Sequence, residues 1–290
     1  NVHTPGAGSD DDDAYDLGAR ALLRGASPYA ESTYLGNVLH QFAGSFLLAV
    51  PFVLLGTSAW QNLFWLAFFA STLRQDGREG DDLRFGWFLL STPVVLHQVL
   101  TGTGHLANAI SVLIGLRWLI KGRHCFLASA AWGVTLASRA NFLLLIPIAM
   151  GWVARHRGAK VAAACGSITC ATVLLLVMPF YLHAPAQFGP LEAANRLTRI
   201  DEWLPHGGLA LGIAAAGLSV GLGAAPLGQR GVLLGCAAVQ FLPIAGVLAV
   251  EWVAGGWLDL SFAAYAIFML PFRSEEHTSE LQSPYVISYA

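Results

Sequence analysis

Four consecutive aspartates stand near the start of a chain that is otherwise poor in charge. Asp10–Asp13, followed by Asp16, lie in a sequence of which only 12% is charged. A carboxylate can take the proton of a hydroxyl group as that hydroxyl attacks, so the run is a candidate general base. The alternative is a helix start, because Ser9 is a favoured N-cap residue and acids in the first turn complement the helix dipole.

Capping needs only one or two of these acids. Closely packed carboxylates repel one another and attract cations, so the run is also a candidate site for a divalent cation. The segment DAYDLGARALLRG predicts a short helix that stops at Gly25, before Pro28. Its residues Leu17, Ala21 and Leu22 form an apolar stripe that fits a membrane surface.

The elements that must position these acids are transmembrane helices. The mean hydropathy is +0.57 and 55% of the residues are hydrophobic, far outside the range of soluble domains. Apolar runs long enough to cross a bilayer predict an all-α, polytopic bundle of about eight to ten spans. The net charge of −2 offers no basic surface for nucleic acid. We read the spans at 85–99, 107–120, 125–137, 141–154, 161–182, 207–225, 231–250 and 257–272, with two shorter apolar stretches in 42–73.

Basic residues in short loops predict which loops share a side of the membrane. Lys and Arg cluster at 117–123 and 155–160, with Arg230 in a third loop, and these loops are expected in the cytoplasm. The opposite face then collects the aspartate run, the loop 183–206 and the polar breaks that contain His40, His105, Asn108, Arg139 and Asn141. This topology makes 1–41 an extracytoplasmic first loop and 42–272 the transmembrane domain. It also requires 42–73 to cross the membrane once only.

The last eighteen residues differ abruptly from the apolar run before them. RSEEHTSELQSPYVISYA (273–290) resembles the in-frame translation of a sequencing-library adapter. We therefore expect a fragment with a non-native tail, which lacks its first span and its true C-terminus.

The acidic stretch and its surroundings resemble a known family. DDDDAYDLGARALLRGASPYA (10–30) is similar to the first extracytoplasmic loop of GT-C glycosyltransferases, above all glycosyltransferase family 87. That family has an Asp, then a Tyr, then a GRALLxGxxPY-like stretch. The matching residues are Tyr15, Gly18, Arg20, Leu22, Leu23, Gly25, Pro28 and Tyr29.

Three later elements follow in the family's order, and the resemblance covers roughly residues 10–155. The apolar run at 40–56 resembles the next span without its Pro-Pro entry. The stretch 91–108 resembles a GQ.N element, with His105 in place of Gln. The stretch 136–147 corresponds to a K.qP element, with Arg139 as the replacement for Lys.

The resemblance implies a membrane glycosyltransferase. Such an enzyme transfers a sugar, in this family mannose, from a polyprenyl-phosphate donor to a lipid or glycan acceptor on the extracytoplasmic face of the cell membrane, with no obligatory cofactor. Alignment on Tyr15 places the catalytic base at Asp11 or Asp12, with Asp13 close enough to compete. The substrate-binding candidates are Asp16, Arg20, Tyr29, His40, His105, Asn108, Arg139 and Asn141.

Each of these candidates also has a structural interpretation. An interfacial histidine, a snorkelling arginine, a capping asparagine and a tyrosine in an aromatic belt are common in membrane proteins. Arg20 can pair with Asp13 or Asp16 within one helix. At the level of the whole protein, two other functions stay open: a transporter or flippase of a lipid-linked or small polar solute, and a non-catalytic protein of GT-C shape.

Overall fold

The computed structural model describes residues 10–75, 92–122, 124–256 and 264–272, without the side chains of Gln75 and of residues 193–196. In these ranges the chain is all-helical, and its extended residues pair only at an isolated bridge between Ser32 and Val38. The helices, numbered in chain order, are α1 (Asp11–Leu23), α2 (Ala43–Leu54), α3 (Trp60–Gln75), α4 (Pro93–Thr101), α5 (His105–Lys121), α6 (Cys125–Leu136), α7 (Ile146–Arg157), α8 (Ala159–His183), α9 (Pro190–Thr198), α10 (Gly207–Ala224) and α11 (Gln229–Val250). Shorter segments are the 3₁₀ helices Pro28–Ala30, Ala140–Leu145, Pro185–Gln187, Arg199–Glu202 and Ala264–Phe268, and a π-helical end to α11, Glu251–Gly255.

Three helices in the described part of the chain are long and apolar enough to cross a membrane. They are Ala159–His183, Gly207–Ala224 and the helical stretch Gln229–Gly255. The pair α4 and α5 adds a fourth if it is one broken span, since the two are bent by 105° at their junction. The all-helical class is confirmed. The count of eight to ten spans stays a prediction. The spans at 85–99 and 257–272 lie partly outside the described residues, and the tail 273–290 lies wholly outside them.

Loops that the sequence places on the outer face contact one another. His40 Nδ1 lies 3.2 Å from the carbonyl oxygen of Gly189, which joins the segment before α2 to the loop after α8. The amide of Phe42 donates to the carbonyl of Ser138, 3.1 Å away, at the end of α6. One end of the bundle therefore gathers three of the predicted outer segments.

The predicted inner loops meet in the same way. Arg157 Nη2 donates to the carbonyl oxygens of Ile120 and Gly122, at 2.8 and 3.0 Å, and so caps the C-terminus of α5. Arg155 Nη1 donates to the carbonyl of Gly223, 2.7 Å away, near the end of α10. Arginines at helix C-termini satisfy carbonyls that have no partner within the helix. The contacts thus follow the loop alternation that the basic residues predict.

The segment 41–58 leaves and returns to the same end of the bundle. At its start, Gln41 Nε2 donates to Asp11 Oδ1 at 2.8 Å, and at its end the amide of Ser58 donates to Asp16 Oδ1 at 2.7 Å. Both acids belong to the first six residues of α1, so α2 packs along α1 and only α3 leads away. That 42–73 crosses the membrane only once stays a prediction, because α3 is not among the helices that are long and apolar enough to span.

Helix α1 packs into the bundle on its small residues. A Cβ on Gly18 would lie 2.4 Å from the Phe46 ring, so α2 can approach this closely only because residue 18 is glycine. Ala21 of the predicted membrane-facing stripe is buried, whereas Leu17 and Leu22 are half-buried. Buried residues of the 10–41 segment, Tyr15 among them, belong to the same continuous core as α5 and α6.

The predicted stop of α1 is confirmed. Gly25 has a φ of 68°, a left-handed conformation that glycine adopts without strain. The amides of Gly25 and Ala26 donate to the carbonyls of Leu22 and Ala21, at 3.0 and 2.9 Å. This pair of bonds is a Schellman cap, which closes the helix and turns the chain towards Pro28.

Candidate active site

Asp11 lies where four separate segments of the chain meet. Its Oδ2 is 3.0 Å from His105 Nδ1, at the start of α5. Its Oδ1 accepts a hydrogen bond from Gln41 Nε2 at 2.8 Å and lies 3.8 Å from Arg139 Nη2. The Asp11 side chain is 20% exposed, so a carboxylate that is held on three sides still reaches solvent.

His105 is positioned by the break between α4 and α5. Gly102, with a φ of 74°, ends α4 in the left-handed conformation and turns the chain so that α5 starts at His105. The imidazole stacks on the Phe268 ring, with centroids 5.1 Å apart and planes 13° apart, and lies 5.4 Å from the Tyr265 ring. These contacts fix the ring with Nδ1 towards Asp11.

Arg139 extends from the loop between α6 and the following 3₁₀ helix. A Cβ on Gly44 would lie 2.4 Å from the carbonyl oxygen of Ala137, so the start of α2 holds this loop at close range. The guanidinium carbon lies 5.4 Å from the centroid of the Phe268 ring, a cation–π distance. Nη2 lies 3.4 Å from the Tyr15 hydroxyl. These contacts hold the cation beside Asp11 without a short bond to it.

Tyr15 forms the floor of the site. Its ring is fully buried and its hydroxyl accepts a hydrogen bond from Asn108 Nδ2 at 2.8 Å. Burial raises the pKa of the Tyr15 phenol, against the opposing effect of Arg139, so the phenol stays protonated at neutral pH. Burial by itself lowers the pKa of Arg139, but Tyr15 and Asp11 outweigh it and the pKa is raised. Arg139 therefore remains a cation.

Two other acids of the run hold the N-terminal segment together. Asp10 Oδ2 accepts hydrogen bonds from Thr33 Oγ1 at 2.6 Å and from Asn37 Nδ2 at 2.8 Å. Asp13 Oδ2 accepts one from the amide of Tyr34 at 2.9 Å. These carboxylates fasten the 31–38 turn onto α1, a structural role that capping arguments do not anticipate.

Asp12 and Asp16 face the connection between α2 and α3. The carbonyl of Asp12 accepts a hydrogen bond from Ser58 Oγ at 3.3 Å, its side chain is buried, and its Cβ is close to Gly102. Asp16 binds the Ser58 amide, as described above. The five acids therefore point in different directions, and in the described residues no three His, Cys, Asp or Glu side chains are grouped as metal ligands.

The remaining predicted site residues lie outside the Asp11 cluster. Arg20 is exposed on α1. Tyr29 is buried among Phe46, Phe180 and Phe188, and its hydroxyl donates to the carbonyl of Gln41 at 2.9 Å. His40 contacts the backbone of Gly189, as described above.

Asn141 is engaged in helix packing. Its Nδ2 donates to Gln240 Oε1, and Gln240 Nε2 donates back to the carbonyl of Asn141 at 3.0 Å. The reciprocal pair joins the 3₁₀ helix after α6 to the middle of α11. Of the predicted binding residues, His105 and Arg139 contact Asp11, and Asn108 joins them through the Tyr15 hydroxyl.

Four residues of the cluster were not among the catalytic or binding candidates from sequence, and one of them, Tyr15, was named only as a match to the family pattern. Gln41 follows the predicted His40 directly, and its polarity next to an apolar run was a usable signal. Tyr265 and Phe268 belong to an apolar stretch that reads only as a span. Nothing in the local sequence marks these two aromatic rings as neighbours of His105.

Several buried polar atoms of the cluster have no hydrogen-bond partner among the residues that the structure describes. They are Gln41 Oε1, Asn108 Oδ1 and Arg139 Nε, two acceptors and one donor. An unmet buried polar group costs about 1–3 kcal/mol, so such groups normally bind water or a ligand. Three of them around one carboxylate are suited to a ligand that carries both hydroxyl and anionic oxygens.

Two clefts lie elsewhere in the described part of the chain. One, of 450 Å³, is between the end of α1 and the end of α8, and the other, of 490 Å³, is between α3, α5 and α6. Neither is lined by Asp11, His105 or Arg139.

Comparison of the chain with protein-family models, curated proteins and solved structures finds no match.

Proposed function

We propose that this protein is a multi-pass membrane glycosyltransferase that acts at the extracytoplasmic face of the cell membrane. It transfers a sugar, mannose in the first instance, from a polyprenyl-phosphate donor to a hydroxyl group of a lipid or glycan acceptor. The observation that carries the proposal is the Asp11 carboxylate beside His105 and Arg139, at the end of the bundle where the predicted outer loops meet. The resemblance of residues 10–155 to family 87 supports the same chemistry.

Asp11 is the general base in this reaction. The acceptor oxygen attacks the anomeric carbon and forms the new glycosidic bond, while its proton passes to the Asp11 carboxylate. The bond between the anomeric carbon and the phosphate oxygen breaks, and the polyprenyl phosphate leaves with the electron pair. Of the acids in the run, Asp11 is the one that combines a solvent-reaching carboxylate with contacts to His105 and Arg139.

Arg139 and His105 stabilise the charge on the leaving phosphate. Arg139 has capacity to do so, because its contacts with Asp11, Tyr15 and His105 are all long, between 3.4 and 3.8 Å. Its Nε has no partner in the described part of the chain, and a guanidinium can offer Nε and Nη together to two phosphate oxygens. Phosphate binding replaces weak contacts with strong ones.

Gln41 and Asn108 are suited to the sugar hydroxyl groups. The free amide oxygen of each is buried and can accept a hydrogen bond from a hydroxyl, while the amide nitrogens hold Asp11 and Tyr15. A hydroxyl group that fills such a position restores a missing bond. The amides therefore couple recognition of the sugar to the position of the base.

A matched pair of substitutions tests the proposal. Asp11→Asn keeps an oxygen that can accept the Gln41 bond but cannot take a proton, so we expect transfer of radiolabelled mannose from polyprenyl-phosphate mannose in membranes to fall at least about a hundredfold. Asp13→Asn keeps an acceptor for the Tyr34 amide and should leave transfer within about twofold of wild type. Both proteins are compared at equal amounts in the membrane.

Two results would overturn the assignment. Transfer by the Asp11→Asn protein at the wild-type rate would remove Asp11 as the base. If no polyprenyl-phosphate sugar supports transfer, and vesicles that contain the protein accumulate a polar solute, a transport function replaces the enzyme.

A further inference from the structure

A second cleft opens near the end of the bundle opposite to Asp11. It has a volume of 490 Å³, within the range of ligand pockets, and lies between α3, α5 and α6. Its lining runs along α5 from Ser111 to Lys121, a distance of about 15 Å at 1.5 Å per residue. Phe68 and Trp118, which flank it, are 42% and 39% exposed, so the cleft has an apolar side that opens away from the bundle.

Among the described residues that line the cleft, the charged ones are both cations and share one end of it. Arg117 and Lys121 lie one helical turn apart in the last turns of α5. The Arg117 guanidinium carbon lies 5.5 Å from the centroid of the Phe69 ring, which holds it in place. Arg155 and Arg157 cap helices at this same end, which adds further positive charge. The other lining residues are aromatic, aliphatic or small.

We infer that this cleft binds an anionic phospholipid of the leaflet on the basic side of the bundle. The phosphate group lies at Arg117 and Lys121, and an acyl chain runs along α5 towards Ser111, between Trp65 and Trp118. The occupant must be apolar over most of the cleft length and anionic at one end, and a phospholipid has both properties in one molecule. Basic pockets between membrane helices recognise anionic head groups by this charge complementarity.

The site is separate from the proposed active site and does not depend on it. Asp11 and His105 lie at the start of α1 and of α5, whereas Lys121 is the last residue of α5, which has 17 residues and is therefore about 25 Å long. Lipid binding can be measured without a sugar donor. A failure of one proposal leaves the other standing.

Native mass spectrometry of the full chain from nanodiscs tests the inference. With equal phosphatidylglycerol and phosphatidylcholine, the wild-type protein should retain phosphatidylglycerol preferentially. Lys121→Gln should lower that retention about fivefold, and Arg117→Gln with Lys121→Gln should lower it further. Lys160→Gln is the matched control, since Lys160 is an exposed cation at the start of α8, outside the cleft, and its loss should change nothing.

The outcomes separate the possible sources of the signal. Equal retention of the two lipids by the wild-type protein overturns the inference. A loss of phosphatidylglycerol retention in Lys160→Gln as large as that in Lys121→Gln also overturns it, because such a loss indicates bulk charge attraction. Displacement of the lipid by millimolar inorganic phosphate means a phosphate site without a lipid and also overturns it. Lys121 is exposed, so its variant should fold and keeps the test valid even if the buried Arg117 does not tolerate substitution.

Discussion

Gly104→Ala provides a quantitative test of how Tyr15 is seated. Gly104 precedes α5 with φ −84° and ψ 6°, angles that alanine adopts without strain, so the effect of the substitution is steric. A Cβ there would lie 2.5 Å from two ring carbons of Tyr15 and 2.9 Å from its hydroxyl. Tyr15 is fully buried, so its ring has no free space to move into.

The expected loss of stability follows from these distances. Overpacking of a buried ring costs about 1–3 kcal/mol. A shift of the ring also weakens the 2.8 Å bond from Asn108 to the Tyr15 hydroxyl, which adds about 1 kcal/mol. The total, about 2–4 kcal/mol, corresponds to a fall in melting temperature of roughly 3–7 °C for a chain of 290 residues.

Thermal unfolding in detergent, followed by scanning fluorimetry, measures this change. Gly217→Ala is the control: Gly217 lies inside α10, a Cβ there meets nothing within 4 Å, and alanine favours the helix by about 1 kcal/mol. The control should melt at or slightly above the wild-type temperature. A Gly104→Ala protein that melts within about 1 °C of wild type would refute the packing of Tyr15 against the start of α5.

Two further predictions concern buried ionisable groups. Glu251 is fully buried and its Oε1 lies 3.0 Å from Arg199 Nη2. Arg199→Met should therefore destabilise the protein by roughly 3 kcal/mol in thermal melts, and the double variant Arg199→Met with Glu251→Met should recover most of that loss. An Arg199→Met protein as stable as wild type would contradict this. Because burial raises the pKa of Tyr15, the unfolded chain loses the phenolic proton at a lower pH than the folded protein does. The contribution of Tyr15 to stability should therefore be intact below about pH 10 and fall above it. Tyr15→Phe should lessen the decline between pH 9.5 and 11, and an unchanged decline would count against this argument.

The grouping of loops could be predicted from sequence because it depends on local composition. Basic residues at 117–123 and 155–160 indicate one end of the bundle, and the contacts of Arg157 with Ile120 and Gly122 join these two segments. The alternation of apolar runs then assigns His105 and Arg139 to the other end. Both residues lie beside Asp11, since loops at the same end of a small bundle have little room to separate.

The choice among the acids could not be predicted. Consecutive residues of a helix point about 100° apart, so a one-residue difference moves a carboxylate to another face. The rotation of α1 is set by tertiary packing, above all by the Phe46 ring against Gly18, and it turns Asp11 towards His105. A family pattern anchored on Tyr15 places the proposed base only within a residue or two, which is too coarse to choose one acid.

The aromatic residues of the site could not be predicted from the sequence either. Phe268 stacks on His105 and lies over Arg139, although more than a hundred residues separate it from either. In the sequence it is one apolar residue of a predicted span. Asn141 is the opposite case, a polar residue at a predicted outer break whose amide instead pairs with Gln240 inside the bundle.

An experimental structure of the protein with a non-transferable polyprenyl-phosphonate sugar analogue tests most directly whether Asp11, His105 and Arg139 form the active site. We predict that the phosphonate oxygens lie within hydrogen-bonding distance of Arg139 or His105, with the anomeric carbon next to Asp11. A phosphonate bound at Arg117 and Lys121, with the site at Asp11 left empty, would contradict the assignment of the active site to Asp11.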